Sequence, residues 1–291
     1  MGRTTKLKYR QPRKTTYTPE SLLRQPKRML GEMLRDLLAS RELAWRLLVR
    51  DISAKYRQSF LGLFWAIIPA VVMAAGFTLA RNNGIVNIGT TDLPYPAYVM
   101  FSMTLWQTFL EALNAPIQGL TEGKAMLARI NFPREALILS KLGEVFFNFG
   151  VKLILIVILF VWFKMPTSSS VILAPVALIH LIVLGTFIGL MLAPMGALYQ
   201  DISRLLTVVT SFWLFITPVV YPVPSGGTFG AIVKFNPVTP LLVTTRELAT
   251  TGQISDPIGF WLASGISFLG LSIAWIVYRV SMPYIVERIS S

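Results

Sequence analysis

Six apolar stretches decide most of what this chain can fold into. They fall at about residues 60–80, 95–116, 142–163, 171–199, 205–222 and 257–278. Each is near the length of about 20 residues that a helix needs to cross a hydrocarbon core about 30 Å thick. The second is interrupted only by Gln107, Glu111 and Asn114. Between the fifth and sixth, residues 223–256 hold short apolar runs broken by Pro224, Gly226, Gly227, Gly230, Pro237 and Pro240. Such runs are too short to cross. They fit re-entrant or surface-lying helices, whose backbone at membrane depth must be satisfied by protein or a wet cavity. The expected fold class is an all-α integral membrane protein with six transmembrane helices.

The charge fits this reading. Of 291 residues, 54% are hydrophobic and only 14% charged, against about 25% charged in soluble domains, which argues against a soluble enzyme. A net +13 raises nucleic-acid binding as a rival, but fifteen of the 27 basic groups and five of the fourteen acidic ones lie in residues 1–58. With an even number of spans both termini share one side. That side collects 22 Lys and Arg against four on the other, Arg81, Lys164, Lys234 and Arg246, with Lys152 inside a span. The positive-inside rule makes it the cytoplasm, so the basic excess reads as an orientation signal and no nucleic acid is expected. Nothing before Phe60 has the apolar core of a cleavable signal, so the first span is expected to direct insertion. Cysteine is absent, which excludes disulfides and thiolate sites, and a single histidine removes any multi-histidine metal site.

Ahead of the spans, residues 1–28 are rich in Arg, Lys, Thr, Gln and Pro and read as a basic flexible cytoplasmic tail drawn to anionic headgroups. In residues 29–58 the pattern changes. Leu30, Met33, Leu34, Leu37, Leu38, Trp45 and Leu48 recur at three- and four-residue steps, with Glu32, Arg35, Asp36, Arg41, Glu42 and Arg46 between them. This predicts an amphipathic interfacial helix, either a membrane anchor alone or one that also packs on a partner. Residues 59–279 form the six-span domain and 280–291 a second cytoplasmic tail.

Several segments look familiar in sequence. KYRQSFLGLFW at 55–65, followed by Ala66 and Pro69, resembles the approach to the first span in the type 2 ABC exporter family. The likeness continues at INFPREALIL (130–139), at 199–221, where Asp201 and Arg204 precede a run ending in TPVVYP, and at FNPVT (235–239). Within the family the chain is most similar to membrane subunits that export O-antigen, teichoic acid and related lipid-linked polysaccharides. The resemblance implies a permease subunit in a bacterial inner or plasma membrane, two copies of it paired with two copies of a separate cytoplasmic ATPase that binds ATP and Mg. The residues agree that this chain binds no such cofactor itself: no GxxxxGK[ST] loop occurs, and residues 119–124 put a single Gly before Lys124 with Ala after it.

The resemblance also implies roles. In the loop at 117–141, Glu122, Lys124, Arg129, Arg134 and Glu135 would form the coupling element seated on the ATPase; the same charges also suit a solvated turn. The helix at 29–49, with Leu34, Arg35, Leu38, Arg41 and Trp45, would be a second ATPase contact and a gate for a lipid headgroup. Residues 223–256 would cap the exit side.

Charges inside the third span need a separate explanation, since each costs about 2.5 to 3.5 kcal/mol at mid-bilayer. Lys141, Glu144, Asn148 and Lys152 follow at steps of three, four and four, one stripe on a helix. Either the stripe faces a translocation path, where Lys152 would attract a pyrophosphate or acidic sugar, or it hydrogen-bonds to a neighbouring helix. Glu111 and His180 read as bundle-facing groups. Phe146, Phe147 and Phe149, with Phe212, Trp213 and Phe215, are aromatic candidates for a sugar path, core or lipid packing being the plainer alternative.

Two other function classes stay open. One is a membrane enzyme of lipid-linked glycan processing, against which stands the lack of a DxD pair or a carboxylate or histidine cluster. The other is a secondary carrier, against which stands the lack of an internal repeat. The expected orientation is directly testable in a cysteine-free chain. A membrane-impermeant maleimide added to intact cells whose outer membrane is opened should label Thr167→Cys, and should label Ala128→Cys only after the inner membrane is also permeabilised; the reverse pattern overturns the orientation.

Overall fold

In the computed structural model of the chain, residues 26–57, 60, 62–130, 132–224 and 226–290 are described; the expected tail at 1–28 lies almost wholly outside them. Among the described residues every regular element is a helix. The α-helices are α1 (Pro26–Arg57), α2 (Ile68–Asn82), α3 (Tyr95–Glu122), α4 (Lys124–Arg129), α5 (Glu135–Trp162), α6 (Ala174–Leu198), α7 (Asp201–Ile216), α8 (Gly227–Phe235), α9 (Val238–Ala249) and α10 (Pro257–Ser290). Short 3-10 turns, Gly62–Ala66 and Ser169–Leu173, lead into α2 and α6. Proline sits in the first turn of α2, α3 and α6, where its fixed φ suits the helix and its missing N–H is not needed.

The centre of the bundle is the crossing of α3 and α6. In lipid no hydrophobic effect draws helices together, so close packing must do so, and small residues allow it. On α6, Gly185, Gly189, Ala193 and Ala197 recur at four-residue steps, all of them buried. A Cβ at Gly189 would lie 2.0 Å from the Leu113 carbonyl oxygen, and one at Gly185 would lie 2.8 Å from that of Phe109. The two backbones are therefore nearly in contact. Around this pair, α5 and α2 pack on α3, α10 and α9 pack on α6, and α1 lies along α5.

Three helical segments are long and apolar enough to cross a membrane: Glu135–Trp162, Ser169–Leu198 and Pro257–Ile289. The other three expected spans differ from them in two ways. Helix α3 has the length, at 28 residues, but carries Gln107, Glu111, Asn114 and Gln118. Helices α2 and α7 have 15 and 16 residues, roughly 22 to 24 Å of rise.

Two features go beyond the sequence reading. The segment expected as a second cytoplasmic tail is helical, since α10 continues to Ser290. Its last turns are held by packing: Tyr278, Met282 and Ile285 are buried in one cluster with Leu127 of α4, with Met126 and Phe132 against it. The apolar set of α1 also splits. Met33 is buried beside Met29, Ala44 and Leu47, whereas Leu30, Leu34, Leu38 and Trp45 are exposed. At 100° per residue the apolar arc is wider than the seam on α5, so one edge packs on protein and the other faces outward. Of the short helices between α7 and α10, α9 is buried along nearly its whole length.

The crossing generates a prediction. Gly189→Val must push α3 and α6 apart and should destabilise the fold by about 3 kcal/mol or more, the upper range for overpacking, seen as loss of monodisperse protein in detergent. Gly150→Ala, whose Cβ meets nothing within 4 Å, should leave yield and melting unchanged.

Candidate functional site

The polar stripe of α5 meets α3 and α1, and its members find partners on both. Lys152, with a side chain only 1% exposed, pairs with Glu111 of α3 at 2.6 Å. Asn148 donates to the other oxygen of the same carboxylate at 3.3 Å and accepts from the Tyr56 hydroxyl of α1 at 3.2 Å. Burial pushes the Tyr56 phenol above its ordinary pKa, with the negative charges of Glu111 and Glu144 acting in the same direction. Between these helices lies a cavity of about 220 Å³ lined by Lys55, Glu111, Asn114, Gln118, Lys141 and Glu144, among others. So polar a cavity inside an apolar bundle is suited to water or a hydroxyl-rich ligand.

Towards α4, a buried cation, Lys141, and a half-buried one, Arg279, tie the helices together. Lys141 contacts Asp51 of α1 at 3.2 Å, Glu122 of α3 at 2.7 Å and Glu144 at 2.6 Å. Arg279 of α10 donates to Glu135 of α5 at 2.8 Å and to Asp36 of α1. The Tyr278 hydroxyl donates to the Arg134 carbonyl at 3.2 Å. Sequence reasoning gave no role to Asp36, Asp51 or Arg279, because their partners are distant in the chain.

At the opposite end the contacts use rings and backbone. Arg246 of α9, which is buried, stacks 4.1 Å over the Tyr98 ring and donates to the Ser102 hydroxyl at 2.7 Å. The Tyr98 and Tyr95 hydroxyls donate to the carbonyls of Tyr221 at 2.8 Å and Val220 at 3.0 Å. Asn236 accepts from the Trp213 indole and donates to the Thr217 hydroxyl, both at 2.9 Å. The TPVVYP and FNPVT segments thus form a joint between α7 and α9.

The expected site residues occupy varied positions. On α1, Leu34, Arg35, Leu38, Arg41 and Trp45 are all exposed, and Leu38, Arg41 and Trp45 line a groove with Leu139 of α5. Around α4, Glu122 and Arg129 are exposed and Lys124 and Arg134 half-buried, but Glu135 is 2% exposed, so its carboxylate faces Arg279 and away from any soluble partner. Glu144 is half-buried and Asn148 buried. Phe146 and Phe215 are exposed; Phe149 and Trp213 pack on the core. His180 lies among Phe260, Trp261 and Phe268, with ring centroids 5.1 to 6.1 Å away. Among the described residues no group of three His, Asp or Glu could hold a metal ion.

The Lys152–Glu111 pair yields a clear expectation. Removing one partner of a buried pair costs about 3 to 5 kcal/mol, less where one side reaches solvent, and Glu111 is 31% exposed. Lys152→Met should therefore destabilise by roughly 2 to 3 kcal/mol in detergent melting. The double change Lys152→Met with Glu111→Gln should recover most of that loss.

Comparison with known proteins agrees with this architecture. The sequence model of the ABC-2 type transporter family matches residues 42–248, which takes in the second half of α1, all of α2 to α8 and all but the last residue of α9. The chain is 22% identical over 231 residues to the O-antigen export system permease protein RfbA of Myxococcus xanthus, covering 77% of this chain and 86% of that protein. It is 21% identical over 235 residues to the protein of the same name from Klebsiella pneumoniae, covering 77% and 87%. A family match across this much of the chain makes it a transport subunit that leaves ATP hydrolysis to a separate ATPase. The chain belongs to the ABC-2 type transporter family, as a permease subunit.

Proposed function

We propose that this chain is the membrane subunit of an ATP-driven exporter that moves a lipid-linked polysaccharide, O-antigen-like in kind, across a bacterial inner membrane. It works as a homodimer on a dimer of cytoplasmic ATPases. Six helices span in this reading: α2 with its leading 3-10 turn, α3, α5, α6, α7 and α10, with both termini cytoplasmic. The two curated relatives, both named as O-antigen export permeases, support the cargo class. The basic excess on one side supports the orientation.

The observation that carries the transport reading is the outward face of α7. Only Thr210 of this helix is buried. Thr207, Ser211, Phe212 and Phe215 are exposed along it, below Arg204, whose side chain is 79% exposed. Hydroxyls and rings, set among the exposed aliphatic side chains of Leu205, Val208 and Val209, suit a second copy of the chain and a sugar polymer between the two, since sugar rings slide on aromatic faces and their hydroxyls exchange hydrogen bonds. On the ATPase side, α4 with exposed Arg129, together with exposed Glu122 at the end of α3, forms the docking surface. The exposed apolar edge of α1, Leu30, Leu34, Leu38 and Trp45, rests in the membrane interface beside Arg35 and Arg41.

The test is export itself. Cells lacking this subunit should accumulate the lipid-linked glycan inside, and the purified chain should bring down a second copy and an ATPase. An isolated monomer with normal surface glycan in the deletion strain would overturn the reading. Phe212→Ala with Phe215→Ala should lower export about twofold to tenfold with the complex intact, corresponding to the 0.5 to 1.5 kcal/mol of a ring contact. Normal export by Lys152→Met in an intact complex would remove Lys152 from the path.

A further inference from the structure

The Lys141 cluster holds more negative charge than its cations can balance. Three carboxylates, Asp51, Glu122 and Glu144, lie within 3.2 Å of one ammonium, and among the described residues the further cation in contact is Arg50, 2.7 Å from Asp51. Each carboxylate belongs to a different part of the molecule. Asp51 is on α1, Glu144 on α5 beside Lys141 itself, and Glu122 is the last residue of α3, separated from α4 by Gly123 alone. Their surroundings differ as well. Lys141, Asp51 and Glu144 have side chains 8%, 18% and 15% exposed, whereas Glu122 is 60% exposed.

These differences rank the three bonds. The Glu122 contact is open to water and salt, so it is the weakest despite its short distance. The Asp51 contact is sheltered but is the longest of the three, which leaves it room to shorten. Lys141 cannot satisfy three mutually repelling anions equally, and losing one strengthens its hold on the others. Just beyond Glu122, Gly123 is packed so tightly on α5 that a Cβ there would lie 2.6 Å from a Leu137 methyl. A force on α4 therefore reaches the Lys141 cluster through a joint with little slack.

We propose that Glu122 is the exchangeable member of this cluster: a basic side chain of the ATPase docked on α4 takes the Glu122 carboxylate, and Lys141, released from it, closes on Asp51 and draws α1 onto α5. The inference rests on the exporter reading above and adds to it a route by which nucleotide state at the ATPase sets the position of α1. The partner is identified by its chemistry, an Arg or Lys on the ATPase surface facing the α3–α4 junction.

The absence of cysteine makes the test clean. Spin labels at Ala39→Cys on α1 and Gly150→Cys on α5, in the purified complex with its ATPase, report the distance between the two helices. ATP should shorten that distance. In Asp51→Asn the complex should still assemble, and both in it and in Glu122→Gln the ATP-dependent change should vanish. Export should fall about tenfold, within the 5- to 150-fold of ordinary couplings between sites, while ATP hydrolysis continues. Lys141→Arg, which keeps the charge, should retain the response. An assembled complex that shows no ATP-dependent change, or one that survives Asp51→Asn, overturns this inference alone. Failure of any ATPase to purify with the unsubstituted chain overturns it together with the exporter reading.

Discussion

The near-contact of two backbones, α3 and α6, sets the position of everything else. Because lipid offers helices no hydrophobic reason to associate, the area gained by removing side chains at Gly185 and Gly189 is what holds the centre. Once Phe109, Leu113 and Ile117 are committed to α6, the next face of α3 turns Glu111, Asn114 and Gln118 towards α5 and α1. The polar cavity is thus a consequence of the apolar crossing. The far side of α6 is left to receive α9 and α10, which ties the outer joint to the same contact.

Much of the helical plan was legible in the sequence because apolar length and charge are local properties. Partners were not. The stripe Lys141, Glu144, Asn148 and Lys152 follows from spacing alone, but its main partner, Glu111, sits 41 residues from Lys152, and only the crossing geometry chooses it. Glu135 looked like a solvent-facing loop charge until Arg279, 144 residues away, was found beside it. The small-residue repeat at 185, 189, 193 and 197 is visible in the letters, yet nothing in them says which helix it meets. The exposed edge of α1 shows the opposite problem. A strong periodicity named the apolar residues, and the narrow seam on α5 decided which of them pack.

The two ends of the bundle are built from different materials. At the end bearing α8 and α9, Arg81 and Arg246 rest on tyrosine rings and tyrosine hydroxyls reach fixed backbone carbonyls. Such bonds have one good geometry each. At the end bearing α4 the helices are joined by full charges, with three carboxylates on Lys141 and two on Arg279. Lys141 can trade one carboxylate for another because three lie within its reach. A joint that stays in register thus lies opposite one that can change state, an arrangement that suits a protein driven from one side.

Helix α1 is fastened to this changeable end at two points, Asp36 to Arg279 and Asp51 to Lys141. The points are fifteen residues apart, about 22 Å along the helix. A rod pinned twice can neither roll nor swing. Free one pin and the other becomes a pivot: a turn of about 5° about Asp36 sweeps the Asp51 end through about 2 Å, given that length. The exposed row from Leu30 to Trp45 would move with it, so a helix proposed to rest on the membrane surface would also be a lever whose fulcrum lies inside the protein.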